Sequence, residues 1–437
     1  MANADSSIPT ILVDRMPKDL LIQSHPEISQ AMEKSKLGKL SNEQNNVQFC
    51  GLVCAHKGED PTSAVFLPRK SKTSKDSDLD TAKDSDLDTA KVTMKVIAKY
   101  SLIAKREDKS GQEDFGGNWL SIIKCIADDF IEYGIYSERH RIQGRNNGKP
   151  NWARTIARET PLIGNTGNIV YPDICTSRTQ DNHDNFLAQI QATVLKEIKV
   201  NHDWWLSDLT KEAAKLRGFQ PPRIDRQLWA IKLKALLPSL FSNRAIRLTT
   251  HLVKYLDRDS HNSNRPLLFG LDDFHNVWEK MLRDVLKNTE DGWNTRLPKP
   301  YFYREVTAPP KTAPKKQMEM DIIVRQGDNL VIVDAKYYDA TSETNSPPWP
   351  DISKQLMYEL AMKDLQLKEG FLGEIRSCFV FPDFSESSED KFIRIKMEYS
   401  KSQFLSKLPE INCYYMPVKK VMQAYLKNEK IDLPSIT

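Results

Sequence analysis

Asp321, Asp334 and Lys336 carry the clearest chemical signal in the chain. They lie in Met318-Glu-Met-Asp-Ile-Ile-Val-Arg-Gln-Gly-Asp-Asn-Leu-Val-Ile-Val-Asp-Ala-Lys336, where two β-rich runs flank the turn signal Gln326-Gly-Asp-Asn329. With the turn centred between Gly327 and Asp328, residues pair symmetrically about that centre, and Asp321 falls opposite Asp334. Such partners have Cβ atoms about 5 Å apart, so two like charges face each other unless a cation sits between them. Lys336, two residues past Asp334, shares its face. Two carboxylates and a backbone carbonyl, that of Ala335, suit a hard divalent ion such as Mg²⁺, which keeps several of its waters. An ion so held polarises a phosphoryl oxygen and lowers the pKa of bound water, while a neighbouring ammonium stabilises developing charge. The chemistry this permits is metal-assisted phosphodiester hydrolysis. Acidic-x-Lys triplets also occur at Glu107-Asp-Lys109 and Glu389-Asp-Lys391, but in wholly polar surroundings. The Asp334 triplet instead follows the apolar run Leu330-Val-Ile-Val333, and an acid at the end of a buried strand needs a reason to be there.

The elements that must position these groups can be read from periodicity. Asp272–Leu286 reads as a helix carrying Glu279 within an apolar stripe, and Tyr301–Val306 as a short strand. Met318–Val324 and Leu330–Val333 are the hairpin strands. Asp351–Leu365 reads as a helix with Gln355 and Tyr358 about one turn apart on one face. A strand at Cys378–Phe381, stopped by Pro382, a strand at Phe392–Met397 and a helix at Val418–Leu426 follow. The alternation predicts an α+β fold, a mixed sheet flanked by helices, with a mixed and helical region before it.

Upstream, residues 1 to about 45 are polar without strong periodicity, and Val47–Leu67 is strand-like. The octapeptide Lys75-Asp-Ser-Asp-Leu-Asp-Thr-Ala82 is repeated at once as Lys83–Ala90, which reads as a surface loop unable to build a core. Its aspartates lack the Gly and closing Glu of an EF-hand loop. Val92–Ala98 reads as a strand; Trp119–Tyr133, Phe186–Ile198, Trp229–Phe241 and Ala245–Leu256 read as helices; Asn262–Phe269 reads as a connection. The expected domains are 1–90, 91–245 and 246–437.

The 437 residues carry a net charge of +4, which permits a polyanionic partner without demanding one. Six scattered cysteines do not form a disulfide framework, and no apolar run has the length of a membrane span, so a soluble, cytoplasmic protein is expected. Cys50, Cys54 and His56 lack the second ligand pair of a structural zinc site. His251, His261 and His275 show no metal-ligand spacing.

A helix with Glu279, a strand with Asp321, a strand with Asp334-Ala-Lys336 and a helix with Gln355 and Tyr358 together resemble the PD-(D/E)xK nuclease superfamily. The proline of that signature is absent, Met320 standing before Asp321. Val333-Asp-Ala-Lys-Tyr337 and Gly148-Lys-Pro-Asn-Trp-Ala-Arg-Thr-Ile156 narrow the resemblance to LlaJI-type restriction endonucleases, which are similar to McrC nuclease subunits, from about Asp114 onward. The resemblance implies a restriction-endonuclease-like core and a Mg²⁺-dependent nuclease acting on double-stranded DNA in defence against foreign DNA. It assigns catalytic roles to Asp321, Asp334, Lys336, Glu279 and Gln355, with Asp321, Asp334, Glu279 and the Ala335 carbonyl as metal ligands. It also implies a separate McrB-like AAA+ GTPase as partner. Gly144-Arg-Asn-Asn-Gly-Lys149 has too few residues between its glycines for a nucleotide-binding loop, and Pro150 replaces the Ser or Thr. The Trp152–Thr155 segment is the expected motor contact. Lys299, Arg304, Lys311, Lys315 and Lys316, interleaved with Tyr301, Phe302 and Tyr303, are the expected DNA contacts. The alternative is a non-catalytic DNA-binding or assembly subunit with a degenerate nuclease fold.

Overall fold

The computed structural model describes residues 9–34, 45–57, 60–69, 79–106, 114–115, 117–165, 167–182, 185–259, 267–272, 274–302, 311–312, 318–383, 391–397 and 408–434. The chain divides into two compact units, one of Ile122–Arg265 and one of Ile8–Ser121 together with Pro266–Thr437. The protein is mixed α and β, and among the described residues no helix is long and apolar enough to cross a membrane.

The polar N-terminal stretch holds more structure than its composition suggests. β1 (Thr10–Val13), α1 (Lys18–Ser24) and α2 (Pro26–Lys34) precede the expected β-rich patch, which is a hairpin of β2 (Cys50–Lys57) and β3 (Asp60–Leu67). Leu21, Ile28 and Met32 of the two helices pack with Leu12, Phe49, Val53 and Phe66. The octapeptide repeat and Val92–Ala98 depart from expectation. From Leu79 onward neither loop nor strand forms; α3 runs continuously over Leu79–Arg106, and residues 75–78 of the repeat lie outside the described residues. Ala90, Met94, Ile97 and Ser101 are buried at helical spacing, and this long-range burial overrides the β-branched and Asp-rich local signal. Thr89 and Thr93 turn their hydroxyls onto carbonyls one turn back, at 2.9 and 2.8 Å, so both buried hydroxyls are satisfied inside the helix. A two-residue strand, β4 (Asp114–Phe115), follows.

The division between the units falls within α4 (Gly117–Tyr133). Beyond it, β5 (Glu138–Arg145), β6 (Lys149–Pro150) and β9 (Cys175–Asn182) form a small sheet in the order β5-β9-β6, enclosing α5 (Trp152–Arg158) and the hairpin β7 (Leu162–Ile163)–β8 (Ile169–Val170). α6 (Phe186–His202), α7 (Ser207–Glu212), α8 (Trp229–Leu236) and α9 (Asn243–Asp259) supply the helical core. In it Arg244 clamps Asp129 at 3.0 Å, and the buried Gln191 donates to the same carboxylate.

Asn262–Phe269 is not wholly a connection. Leu267–Leu271 forms β10, which pairs antiparallel with β2 and completes the sheet β1-β3-β2-β10-β4. Gly51 and Gly270 face each other there; a Cβ on Gly270 would lie 2.3 Å from the Cys50 carbonyl oxygen, so only glycine lets the strands approach.

α10 (Phe274–Val285) leads past the ladder of β11 (Tyr301–Phe302) and β12 (Lys311–Thr312) into the second sheet. Its strands are β13 (Ile322–Gln326), β14 (Asn329–Ala335), β15 (Ile375–Asp383), β16 (Arg394–Ile395) and β17 (Ile411–Pro417), in the order β13-β14-β15-β17-β16. The β14–β15–β17 pairs are parallel and the two outer pairs antiparallel. Periodicity does not predict β17. β15 runs through Pro382, because the ladder with β14 has ended by then and no partner needs its missing N–H. α11 (Trp349–Glu369) crosses between β14 and β15, and its Tyr358, Met362 and Leu365 pack on Ile323, Leu330 and Ile332. α12 (Val418–Lys427) packs on α10 and α3. There Thr93 reaches Met422 at 3.9 Å, and Lys99 donates to the Tyr425 carbonyl and to Asn428 Oδ1, the latter at 2.7 Å.

Candidate active site

β13 and β14 pair with Ile322 opposite Val333 and Gln326 opposite Asn329. Gly327 and Asp328 close the turn; Gly327 alone takes a positive φ, 62°, as a type II′ turn asks of its first central residue. This register, carried one residue outward, sets Asp321 across from Asp334, as the symmetric turn predicts.

Asp321 lies just before its strand, where no ladder holds the backbone, and side chains from three elements take over. The Tyr358 hydroxyl of α11 donates to the Glu319 carbonyl at 2.5 Å and accepts from the Glu319 N–H at 3.3 Å. The Asn294 amide pairs with both backbone groups of Met320, at 2.9 and 3.1 Å. Arg283 of α10 donates to the Asp321 carbonyl at 2.6 Å. The Asp321 carboxylate accepts from the Ala335 N–H at 3.1 Å, tying it to the strand that bears Asp334. A cavity of about 120 Å³ opens beside Asp321, walled by Arg283, Glu290, Trp293 and Asn294.

Asp334 pairs with Phe379 of β15 on one side and faces Asp321 on the other, and its side chain is only 3% exposed. Burial raises its pKa from the usual carboxylate value to about 6, and the neighbouring Asp321 carboxyl pushes the same way. Lys336 Nζ lies 2.8 Å from Asp334 Oδ2 and 3.0 Å from Asp351 Oδ1. The first contact is an ion pair without hydrogen-bond alignment, so Oδ2 has no aligned donor among the described residues. Burial opposes the charge on Lys336, but Asp334 and Asp351 outweigh it and raise the pKa. Lys354 stands 3.8 Å from Asp334 Oδ1, with its pKa raised over the cost of burial by Asp334 and Asp321. Three carboxylates meet two ammonium groups, leaving one negative charge for a proton or a cation to balance.

The hairpin therefore gathers Asp321, Asp334, Ala335 and Lys336. Glu279 is ion-paired with Arg283 at 2.9 Å and touches this cluster through that arginine, which also holds the Asp321 carbonyl. Gln355 is wholly buried and donates to the Cys378 carbonyl on β15 at 3.3 Å; its Oε1 has no hydrogen-bond partner among the described residues. Among the described residues, no three His, Cys, Asp or Glu side chains gather closely enough to hold a metal. Asp351, Lys354, Arg283 and Asn294 join the site without being expected from the sequence. The spacing of Asp351, Lys354, Gln355 and Tyr358, three, four and seven residues along a helix, already places them on one face.

Other expectations resolve simply. Cys50 and Cys54 lie four residues apart along one strand, about 13 Å, too far to share an ion, and the Cys50 thiol donates to the Phe66 carbonyl. Gly144–Pro150 turns from β5 into β6, so a strand, not a glycine-rich loop, leads into α5. Trp152 is 54% exposed, not buried beneath a loop. Lys299 is exposed; Arg304, Lys315, Lys316, Tyr303 and His261 lie outside the described residues.

A family model, LlaJI restriction endonuclease, matches residues 63–419. No curated protein matches the chain.

Proposed function

The chain belongs to the LlaJI restriction endonuclease family, and from that premise we propose that it is the Mg²⁺-dependent nuclease subunit of a restriction system. Membership makes it a nuclease of such a system acting on DNA; the metal, the active residues and the partner are our reading. In it, residues 246–437 carry a PD-(D/E)xK-type site that cuts double-stranded DNA. A separate McrB-like AAA+ GTPase serves as motor and meets residues 91–245.

One observation carries the reading: a buried carboxyl facing a second carboxyl across a hairpin, with a cluster charge one cation short of balance. Such a pair is costly in an apolar strand unless a cation uses it. Asp321 and Asp334, with the Ala335 carbonyl, form the hard-oxygen donor set that suits Mg²⁺. When bound, the ion supplies Lewis acidity toward phosphoryl oxygen and an acidified water. The chain's own residues do the rest. Lys336, aimed by Asp351, offers an ammonium beside the pair; Arg283, Asn294 and Tyr358 fix the backbone that carries Asp321; Glu279 fixes Arg283. A motor contact at Trp152–Thr155 is supported by the exposure of Trp152 and Ile156, one helical turn apart on α5.

The test is cleavage of plasmid DNA by the full chain with Mg²⁺ and its motor, wild type against Asp334→Ala and Lys336→Ala. Loss of cleavage with folding and assembly intact is expected; an Asp334→Ala protein that cuts like wild type ends the proposal.

A further inference from the structure

The two lysines of the cluster are placed differently. Lys336 is 12% exposed and sits between two carboxylate oxygens at 2.8 and 3.0 Å, so its ammonium is already matched on both sides. Lys354 is 41% exposed, its carboxylate contact is loose at 3.8 Å, and its ammonium lies 5.4 Å from the centre of the Tyr358 ring. It projects from the same helical face as Asp351 and Tyr358, whose hydroxyl fixes the backbone leading to Asp321. The aromatic ring steadies the side chain, and with its carboxylate contact loose the side chain stays 41% exposed.

We propose that Lys354, and not Lys336 alone, is the cation that meets the backbone phosphate of DNA at this site. Lys336, aimed by Asp351, keeps its place beside the carboxylate pair, and its two close contacts also hold Asp334 in position. A phosphodiester approaching the carboxylate pair meets net negative charge from Asp321, Asp334 and Asp351. The ammonium at the mouth offsets that repulsion and donates to a non-bridging oxygen without breaking a close ion pair. This rests on the nuclease reading above.

The experiment uses the full chain with two readouts. The first is metal-free binding of a DNA duplex in EDTA, by fluorescence anisotropy over a range of salt. The second is single-turnover cleavage with Mg²⁺ and the motor. Variants are Lys354→Ala, Lys354→Gln and Lys354→Arg, with Lys363→Ala as the control, since it removes a similarly exposed lysine farther along α11. Losing one phosphate contact lowers the slope of log affinity against log salt by about 0.9. We expect that drop in Lys354→Ala or Lys354→Gln, whichever keeps the wild-type melting temperature, along with a cleavage rate down about 100-fold. Lys354→Arg should restore both to within about 10-fold of wild type in rate, and Lys363→Ala should change neither. A wild-type salt slope, or a wild-type rate, in the neutral variants overturns the assignment. If Asp334→Ala is meanwhile inactive, the nuclease reading survives that failure; if Asp334→Ala also cuts, the nuclease reading itself falls.

Discussion

Replacing Asp334 by Asn should make the metal-free protein more stable while removing its activity. The carboxyl is 3% exposed, and its pKa is raised from 3.8 to about 6 by burial and by Asp321, after the opposing pull of Lys336 is included. A carboxyl whose folded-state pKa lies above its unfolded value keeps its full contribution to stability below pH 4 and loses it as pH rises through 6. A shift of about two units corresponds to roughly 3 kcal/mol by pH 8. Asn has the same shape and no charge, so it escapes that loss. For a unit of this size the gain is about 5 °C in melting temperature at pH 8, fading toward zero near pH 4. Mg²⁺ should narrow the gap from the other side, because an ion bound to the folded wild type stabilises it by about 1.4 kcal/mol at tenfold over Kd, and the variant gains less. Thermal melts of both proteins at pH 4.5, 6 and 8, in EDTA and in Mg²⁺, read all of this. An Asn variant that melts at or below wild type at pH 8 in EDTA, or by the same margin at every pH, would refute this account of the buried carboxylate.

Tyr358→Phe deletes both hydrogen bonds to Glu319 and leaves its backbone groups unmatched; a stability loss of about 1–3 kcal/mol and a fall in cleavage rate are expected. A urea titration reads the first and single-turnover cleavage the second, and an unchanged rate would show that Asp321 is held without the tyrosine. Arg154→Glu reverses a charge on the exposed α5 and should weaken capture of the motor, whereas Asp334→Ala should not; equal capture by both variants in a pull-down would remove this segment from the contact.

The hairpin is legible in the sequence because everything that sets it is local. A two-residue turn with Gly327 at its first position fixes the register, and a period of two fixes which side chains share a face, so Asp321 opposite Asp334 follows from counting. The apolar run before Asp334 marks a buried strand for the same reason. Helix α3 is not legible in this way, because its Asp-rich repeat and its Val92, Thr93 and Val96 signal loop and strand locally. What makes it helical is burial against partners such as α12, more than 300 residues away in the chain.

By itself, then, the sequence determined the chemistry on offer: two acids and a lysine on one hairpin face, and the helical face carrying Asp351, Lys354, Gln355 and Tyr358. Only the tertiary structure decided how those groups are used. It joined residues 8–121 and 266–437 in one unit, since β10 pairs with β2 and the Tyr337 hydroxyl accepts from the Arg69 N–H at 2.8 Å. It turned Gln355 to the β15 backbone, lodged Lys336 between two carboxylates, and left Lys354 half in solvent. Periodicity reports which residues share a face, whereas burial and ion pairing depend on what another part of the chain brings to that face.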